Sequence, residues 1–342
     1  MRFAPLSRPL RATAALAALG ALTAACSSAA SNAGNSSGGG SKTINLVAYS
    51  TPQKAYDALI PAFKATTAGA GASFKESFGA SGAQSRAVLA GQPADIVAFS
   101  LEPDISKLVK SGLVPSTWNS DSYKGMVTDS VVTLVVRKGN PKGIHGWADL
   151  VKPGIKVVTP NFLSSGSAKW NLMAAYGAQI KSGKSPDDAL AYVKALLKNT
   201  VTQPDSGSKA TAAFVGGVGD VLISYENEAI QAQKSGAAVD YVTPDQTILI
   251  ENPIAVTTHA KNPTLAKAFI DYLHTDAAQK IFADHGYRPV VQADVDASKF
   301  PTPAQLFTIS DFGGWSTVNT QFFDPTSGSI TKIENSLGVS SG

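Results

Sequence analysis

The sequence predicts an α/β protein of two lobes, and three observations lead there. Strand-like and helix-like segments alternate along most of the chain, as in βαβ units built around a parallel sheet. Of the 342 residues, about 300 remain to fold after an N-terminal leader and linker, and roughly 150 residues per domain makes that two domains. Hydrophobic residues are 44% and charged residues 16% of the chain, which supplies a core while excluding a disordered chain, a coiled coil or a polytopic membrane protein.

In chain order, Asn45–Tyr49 is an apolar strand, followed by a helix over Gln53–Ala65. A second strand over Ser73–Phe78 leads into a helix over Ala83–Ala90. Asp95–Phe99 is a third, mostly apolar strand before a helix over Ile105–Ser111. Ser130–Val136 and Ile155–Val158 continue the strand series, with helices over Ala168–Ile180 and Pro186–Lys198. After a helix over Lys209–Val215 come a strand at Val221–Ser224 and another at Ile254–Thr257. Helices over Pro263–His274 and Asp276–His285 close the series. No fixed-period repeat is present.

The first 25 residues read as an export signal. Arg2, Arg8 and Arg11 precede an apolar run from Ala12 to Ala25, too short to span a bilayer comfortably and suited to a signal core. The run ends at Cys26, the one cysteine of the chain, so neither an intramolecular disulfide nor a cysteine metal site is available. Small residues before a solitary cysteine resemble the lipobox of bacterial lipoproteins, although Thr23 stands where leucine is commonest. That resemblance implies diacylation of Cys26. Residues 26–42 are almost wholly Ser, Gly, Ala and Asn, a flexible tether that lets a folded body move above a membrane.

The formal charge is +4, but three of the basic residues lie in the leader. Without them 26 basic residues face 25 acidic ones. With no basic run of five, nucleic-acid binding is not indicated. Four scattered histidines without an i,i+4 pair argue against zinc. Gly183-Lys184-Ser185 lacks the glycine five places earlier that a phosphate-binding loop needs. Ser165 and Lys169 miss the spacing of a serine–lysine nucleophile, and no base-plus-orienter set is evident. No enzymatic role and no cofactor are expected.

A Ser/Gly turn opening a helix does recur. Gly79-Ala80-Ser81-Gly82, Ser164-Ser165-Gly166-Ser167 and Asp205-Ser206-Gly207-Ser208 each precede a helical segment. One such turn is an ordinary N-cap; three from separate regions point to a shared site. The first N–H groups of a helix lack intrahelical partners and mark the positive end of its dipole. Converging several of them makes an anion site without a counter-charge. A pocket offering only donors suits sulfate, which offers only acceptors. It disfavours hydrogen phosphate, whose proton needs an acceptor, by about 1–3 kcal/mol.

The chain resembles the sulfate/thiosulfate branch of the extracellular solute-binding proteins of bacterial ABC importers. The resemblance spans about Ile44 to Asp324. It is carried by Ala80-Ser81-Gly82 with Gln84 and Arg86-Ala87-Val88, Val136-Arg137-Lys138-Gly139-Asn140-Pro141-Lys142, and Trp147-to-Gly154. Val158-Thr159-Pro160-Asn161, Trp170-Asn171, Gly219-Asp220-Val221-Leu222, Glu226-Asn227-Glu228-Ala229, Tyr287-Arg288-Pro289 and Phe312-Gly313-Gly314-Trp315 follow in order. It implies a class II periplasmic-binding-protein fold, in which two α/β lobes joined by crossing strands close on a ligand. Lobe I would comprise 43–130 and 256–306, lobe II 131–255, and 307–342 would return to pack on lobe II. Crossings are expected near Asp129–Val132 and Pro253–Val256.

The family holds sulfate with main-chain N–H groups, one serine hydroxyl and one indole N–H. Carried across, Ser50, Ser81, Gly166, Ser167 and Ser208 would give backbone donors and Ser165 a hydroxyl. Departures occur at four of these places: Ser50 for Asp, Ser167 for Gly, Ser208 for Ala, and Tyr225 for the indole-bearing Trp. A tyrosine hydroxyl donates or accepts, which softens selectivity against protonated anions. Arg86 and Lys169 sit inside first turns, where they either neutralise charge from behind or are solvated. Trp170 and Trp315 are expected in the core. The implied role is a monomeric, lipid-anchored receptor outside the cytoplasmic membrane, delivering sulfate to an ABC permease. Thiosulfate, molybdate or phosphate are the alternatives within the class, and a secreted hydrolase using Ser165 and Lys169 the alternative outside it.

Overall fold

A computed structural model describes residues 42–291 and 295–338; Cys26 and the leader lie outside the described residues. The first half contains β1 (Thr43–Tyr49), α1 (Gln53–Lys64), β2 (Ser73–Gly79), α2 (Ser81–Leu89), β3 (Ile96–Ala98), α3 (Glu102–Lys110) and β4 (Met126–Arg137). Then come β5 (Val157–Val158), α4 (Gly166–Lys181), α5 (Pro186–Lys198), β6 (Thr200–Thr202), α6 (Gly207–Val215), β7 (Val221–Tyr225) and α7 (Glu226–Lys234). The chain continues through β8 (Val239–Val242), β9 (Gln246–Val256), α8 (Pro263–Leu273), α9 (Asp276–Asp284), β10 (Gln305–Phe307), α10 (Gly314–Val318) and α11 (Ser329–Ser336).

Local chemistry accounts for the clearest of these. In α5, Ser185 accepts the Asp188 N–H as N-cap, Pro186 opens the first turn beside Asp187 and Asp188, and Lys198 closes the last. Each element complements the helix termini or dipole. The run Val131–Val136 is buried without alternation, as a central strand requires.

The strands run in the order β2-β1-β3-β9-β4-β7-β5-β6, with β10 joining β9 and β8 joining β4. β1 is parallel to β2 and β3, whereas β9 lies antiparallel to both β3 and β4. Two long strands join the halves. β4 pairs β9 through Val131 and β7 from Val132 onward, while β9 leaves β4 for β3 between Pro253 and Ile254. Proline removes a ladder donor and is expected at edges or bulges. Here the register slips between Met126 and Thr128, opposite Pro253, so the bulge accommodates it.

Two apolar clusters face each half. One packs Leu59, Phe63, Phe269 and Phe282 under β1 and β3, with Val97, Phe99 and Leu108 in another. In the other half, Trp170, Met173, Leu196 and Ile223 gather in the largest cluster, with Phe214 and Leu222 in a smaller one. The C-terminal segment belongs to the largest cluster through Trp315, Phe322 and Ile330, and Trp170 meets Trp315 edge-on at 4.6 Å. Both tryptophans are core, as expected.

All fifteen expected helices and strands correspond to elements, displaced by a few residues at their ends. Seven segments were not anticipated: β6, α7, β8, most of β9, β10, α10 and α11. Helix α7 carries few apolar positions, so it shows no 3.6-residue pattern, and Glu251-Asn252-Pro253 interrupts the strand signal of β9.

Candidate anion site

The three Ser/Gly turns meet. The Gly82 N–H at the start of α2 donates to the Ser164 carbonyl before α4, at 3.0 Å. The Ser164 hydroxyl donates to the Asp205 carbonyl before α6, at 2.8 Å. A Cβ placed on Gly207 would lie 3.1 Å from Ser167 Oγ, and one on Gly166 only 2.6 Å from Ser100 Oγ. Glycine is therefore demanded by close approach at these two helix starts. Between the turns lies a tight hollow of about 10 Å³, whose rim includes Ser50, Ser81, Ser165, Gly166 and Ser167.

The wall carries no charged side chain; its polar groups are hydroxyls and main chain. Ser165 is the N-cap of α4, yet its side chain makes no capping bond. Its Oγ instead lies 2.7 Å from Ser167 Oγ, leaving the first N–H groups of the helix uncapped beside the hollow. At α2 the N-cap is Ala80, which has no side-chain acceptor to offer. Three helix starts thus point their positive ends at one small space.

The remaining expected residues fall around this space at varying distance. Ser206 and Gly207 line the hollow where Ser208 was expected, and the Ser206 hydroxyl accepts the Lys209 N–H. Ser208 lies on an adjoining cavity of about 530 Å³, which shares Ser50 and Thr51 with the hollow. Tyr225 is 1% exposed and does not line the hollow. Its hydroxyl lies 2.7 Å from Ser100 Oγ, and burial raises it well above the ordinary phenol range. Arg86 donates to the Leu163 carbonyl at 3.3 Å. Lys169 donates to Asn319 Oδ1 at 2.8 Å and sits over the Phe323 ring, its pKa lowered to about 8 by burial. Neither cation is part of the hollow wall.

Sequence reasoning missed Tyr49, Thr51 and Ser100 on this wall. A signal existed. Each stands at or just beyond the C-terminal end of a parallel strand, β1 or β3, where open α/β sheets form their ligand crevices. Ser81 Oγ accepts the Ser100 N–H at 3.0 Å and donates to Asp104 at 2.7 Å. The Ser81 hydroxyl is thereby committed to the scaffold, which leaves its N–H as the group free to serve a ligand.

Residues 44–288 match the bacterial extracellular solute-binding protein family. A sulfate-binding protein of Synechococcus elongatus is 40% identical over 301 residues, covering 84% of this chain and 86% of its own. The solved structure of the sulfate-binding protein SubI from Mycobacterium tuberculosis superposes with a TM-score of 0.80 at 49% identity, over 82% of this chain and 99% of that one. A periplasmic thiamin-binding protein shares the fold alone, with a TM-score of 0.64 at 19% identity over 79% of this chain and 91% of its own. The α/β halves and joining strands described above are the two-lobed architecture of periplasmic substrate-binding proteins. By sequence and by fold, this chain belongs to the bacterial extracellular solute-binding protein family.

Proposed function

We propose that the chain is a sulfate receptor that delivers its ligand to an ABC import permease. The observation that carries this is the meeting of three helix N-termini around a small hollow with no charged side chain in its wall. Hydroxyls and N–H groups satisfy a bare tetrahedral dianion without a counter-ion. In this reading Ser50, Ser81, Gly166, Ser167 and Ser208 offer N–H groups and Ser165 its hydroxyl, while Tyr225 acts from behind. Similarity to sulfate-binding proteins over four-fifths of the chain supports the same ligand.

The lobes divide at the strand crossings, with 43–130 and 256–306 in lobe I, 131–255 in lobe II, and 307–342 packed on lobe II. Closure draws α2 and α4 together over the anion and displays a surface to the permease. Cys26 carries the lipid anchor and residues 26–42 the tether. The role requires no bond cleavage by this chain.

Titration calorimetry of ligand-stripped protein at pH 6 and pH 8 tests the assignment. Sulfate is expected to bind tighter than phosphate at both pH values, and the reverse order overturns it. Thiosulfate and molybdate titrated alongside define the rest of the ligand range. The Ser165→Ala variant is expected to lose about 1–3 kcal/mol of sulfate affinity, the cost of leaving a buried charged acceptor short of a donor.

A further inference from the structure

Beside the anion site stands a buried carboxyl that no cation balances among the described residues. Glu228 lies in the first turn of α7 and is 8% exposed. One of its oxygens accepts the Thr211 hydroxyl of α6 at 2.7 Å. The residue borders the cavity of about 530 Å³ that also reaches Ser50, Thr51 and Ser208. Ser208 and Thr211 are three residues apart on α6, about 4.5 Å along its axis, so the carboxyl sits about 10 Å from an anion held at that helix start.

The groups facing Glu228 leave its charge uncompensated. The hydroxyls of Tyr49 on β1, Tyr225 at the end of β7 and Tyr287 beyond α9 lie near enough to feel it, and burial raises each above the ordinary phenol range. Lys54 of α1, on the same cavity, donates to Ser235 at 3.2 Å. On α6, Lys209 pairs with Asp205. Along α7 itself, Glu226 is held by Arg288 and Lys234 donates to the Asp284 carbonyl. His285, 3.1 Å from Gln231, is shifted down by burial. The dipole of α7 favours a negative charge in its first turn, but burial outweighs it and raises Glu228 to about 7, opposed by the Thr211 hydrogen bond.

We propose that Glu228 is a positioning residue of the anion site, steadying the α6 start through Thr211, and that it takes up a proton when the dianion enters the hollow. The proposal rests on the sulfate reading above and adds a regulation to it. A dianion disfavours a like charge nearby, and at about 10 Å, in a medium between protein and water, it penalises the ionised carboxyl about tenfold. The wall of the hollow supplies no cation to cancel this. Affinity is therefore full while the carboxyl is neutral and falls as pH rises through about 7. Thr211 donates to the carboxyl in either charge state, so the tie to α6 is kept. The added hydrogen sits on the other oxygen, and the cavity is roomy enough for water to accept it. The proton comes from the buffer, because sulfate has none to give in this range.

Calorimetry with sodium sulfate on the ligand-stripped wild type, in Hepes and in Tris at pH 7.5, counts the protons taken up. About half a proton per sulfate is expected, with affinity about tenfold lower at pH 9 than at pH 6. Glu228→Gln still accepts from Thr211 but cannot titrate, so it is expected to lose the uptake and to vary less than about twofold in affinity over the same range. Asp129 titrates in the same range at the strand crossing, and Asp129→Asn is expected to keep the uptake. At pH 6, where the carboxyl is mostly neutral, Thr211→Val removes the tie and is expected to weaken sulfate about fivefold. A purely structural Glu228 shifts affinity alike at every pH and moves no proton. No uptake by wild type, uptake persisting in Glu228→Gln, its loss in Asp129→Asn, or unchanged affinity in Thr211→Val each overturns the proposal. Failure of wild type to bind sulfate overturns the functional reading itself, a distinct result. Thermal midpoints of the ligand-free variants confirm that they fold.

Discussion

The substitution Gly166→Ala isolates closure from folding. Gly166 opens α4, and its φ lies outside the positive region, so alanine meets no backbone strain there. An added Cβ would lie 2.6 Å from Ser100 Oγ, 2.8 Å from Leu101 Cγ and 2.9 Å from Ser100 Cβ. All three are inside normal contact, and Ser100 is too firmly bonded to yield. The start of α4 must therefore withdraw from the segment following β3, widening the hollow. Overpacking of this kind costs about 1–3 kcal/mol, equivalent to a loss of about 5-fold to about 150-fold in affinity. Alanine in place of glycine also favours the helix by up to about 1 kcal/mol, so the ligand-free protein should be no less stable than wild type. Calorimetric titration with sulfate, paired with thermal unfolding of the stripped protein, separates the two effects. Gly207→Ala, whose contacts begin at 3.1 Å, should show the same effect more weakly. Wild-type sulfate affinity in Gly166→Ala would refute the idea that the α4 start closes on the ligand.

Three other measurements probe the same structure. Glu226 is buried and paired with Arg288 at 2.7 Å, so Arg288→Ala strands a carboxylate and should cost about 3–5 kcal/mol in denaturant unfolding; a loss under about 1 kcal/mol contradicts a structural ion pair. Burial, together with Glu251 opposite it on β9, raises Asp129 to about 8 against the opposing pull of Arg288, and burial raises Glu228 to about 7. Both carboxyls hold protons more tightly folded than unfolded, so their stabilisation is complete below the ordinary carboxylate range and is lost as pH rises through about 7 to about 8. Stability of the stripped protein should fall across that window, and Asp129→Asn with Glu228→Gln should flatten the fall. Because the hollow wall offers dipoles in place of cations, raising ionic strength to about 0.15 M with a non-competing salt should change sulfate affinity by less than about threefold; a steep dependence indicates a counter-ion in the site.

What the sequence determined by itself is the part that local chemistry dictates. Alternating apolar strands and capped helices, such as Ser185-Pro186-Asp187-Asp188 before α5, announce themselves within a few residues. The three Ser/Gly turns were legible for the same reason, since a helix start needs small residues wherever something approaches it. Tertiary structure decided which groups those turns face. Ser100 looks like any polar residue after a strand until Ser81, Trp170 and Asn252 fix its backbone from three distant places. Tyr225, marked by the sequence as a ligand candidate, meets Ser100 Oγ and is not on the wall of the hollow. Arg86 and Lys169 donate to the Leu163 carbonyl and to Asn319, partners that lie far from them in the chain. The direction in which a polar side chain spends its hydrogen bonds depends on atoms brought near only by folding, and no local pattern encodes it.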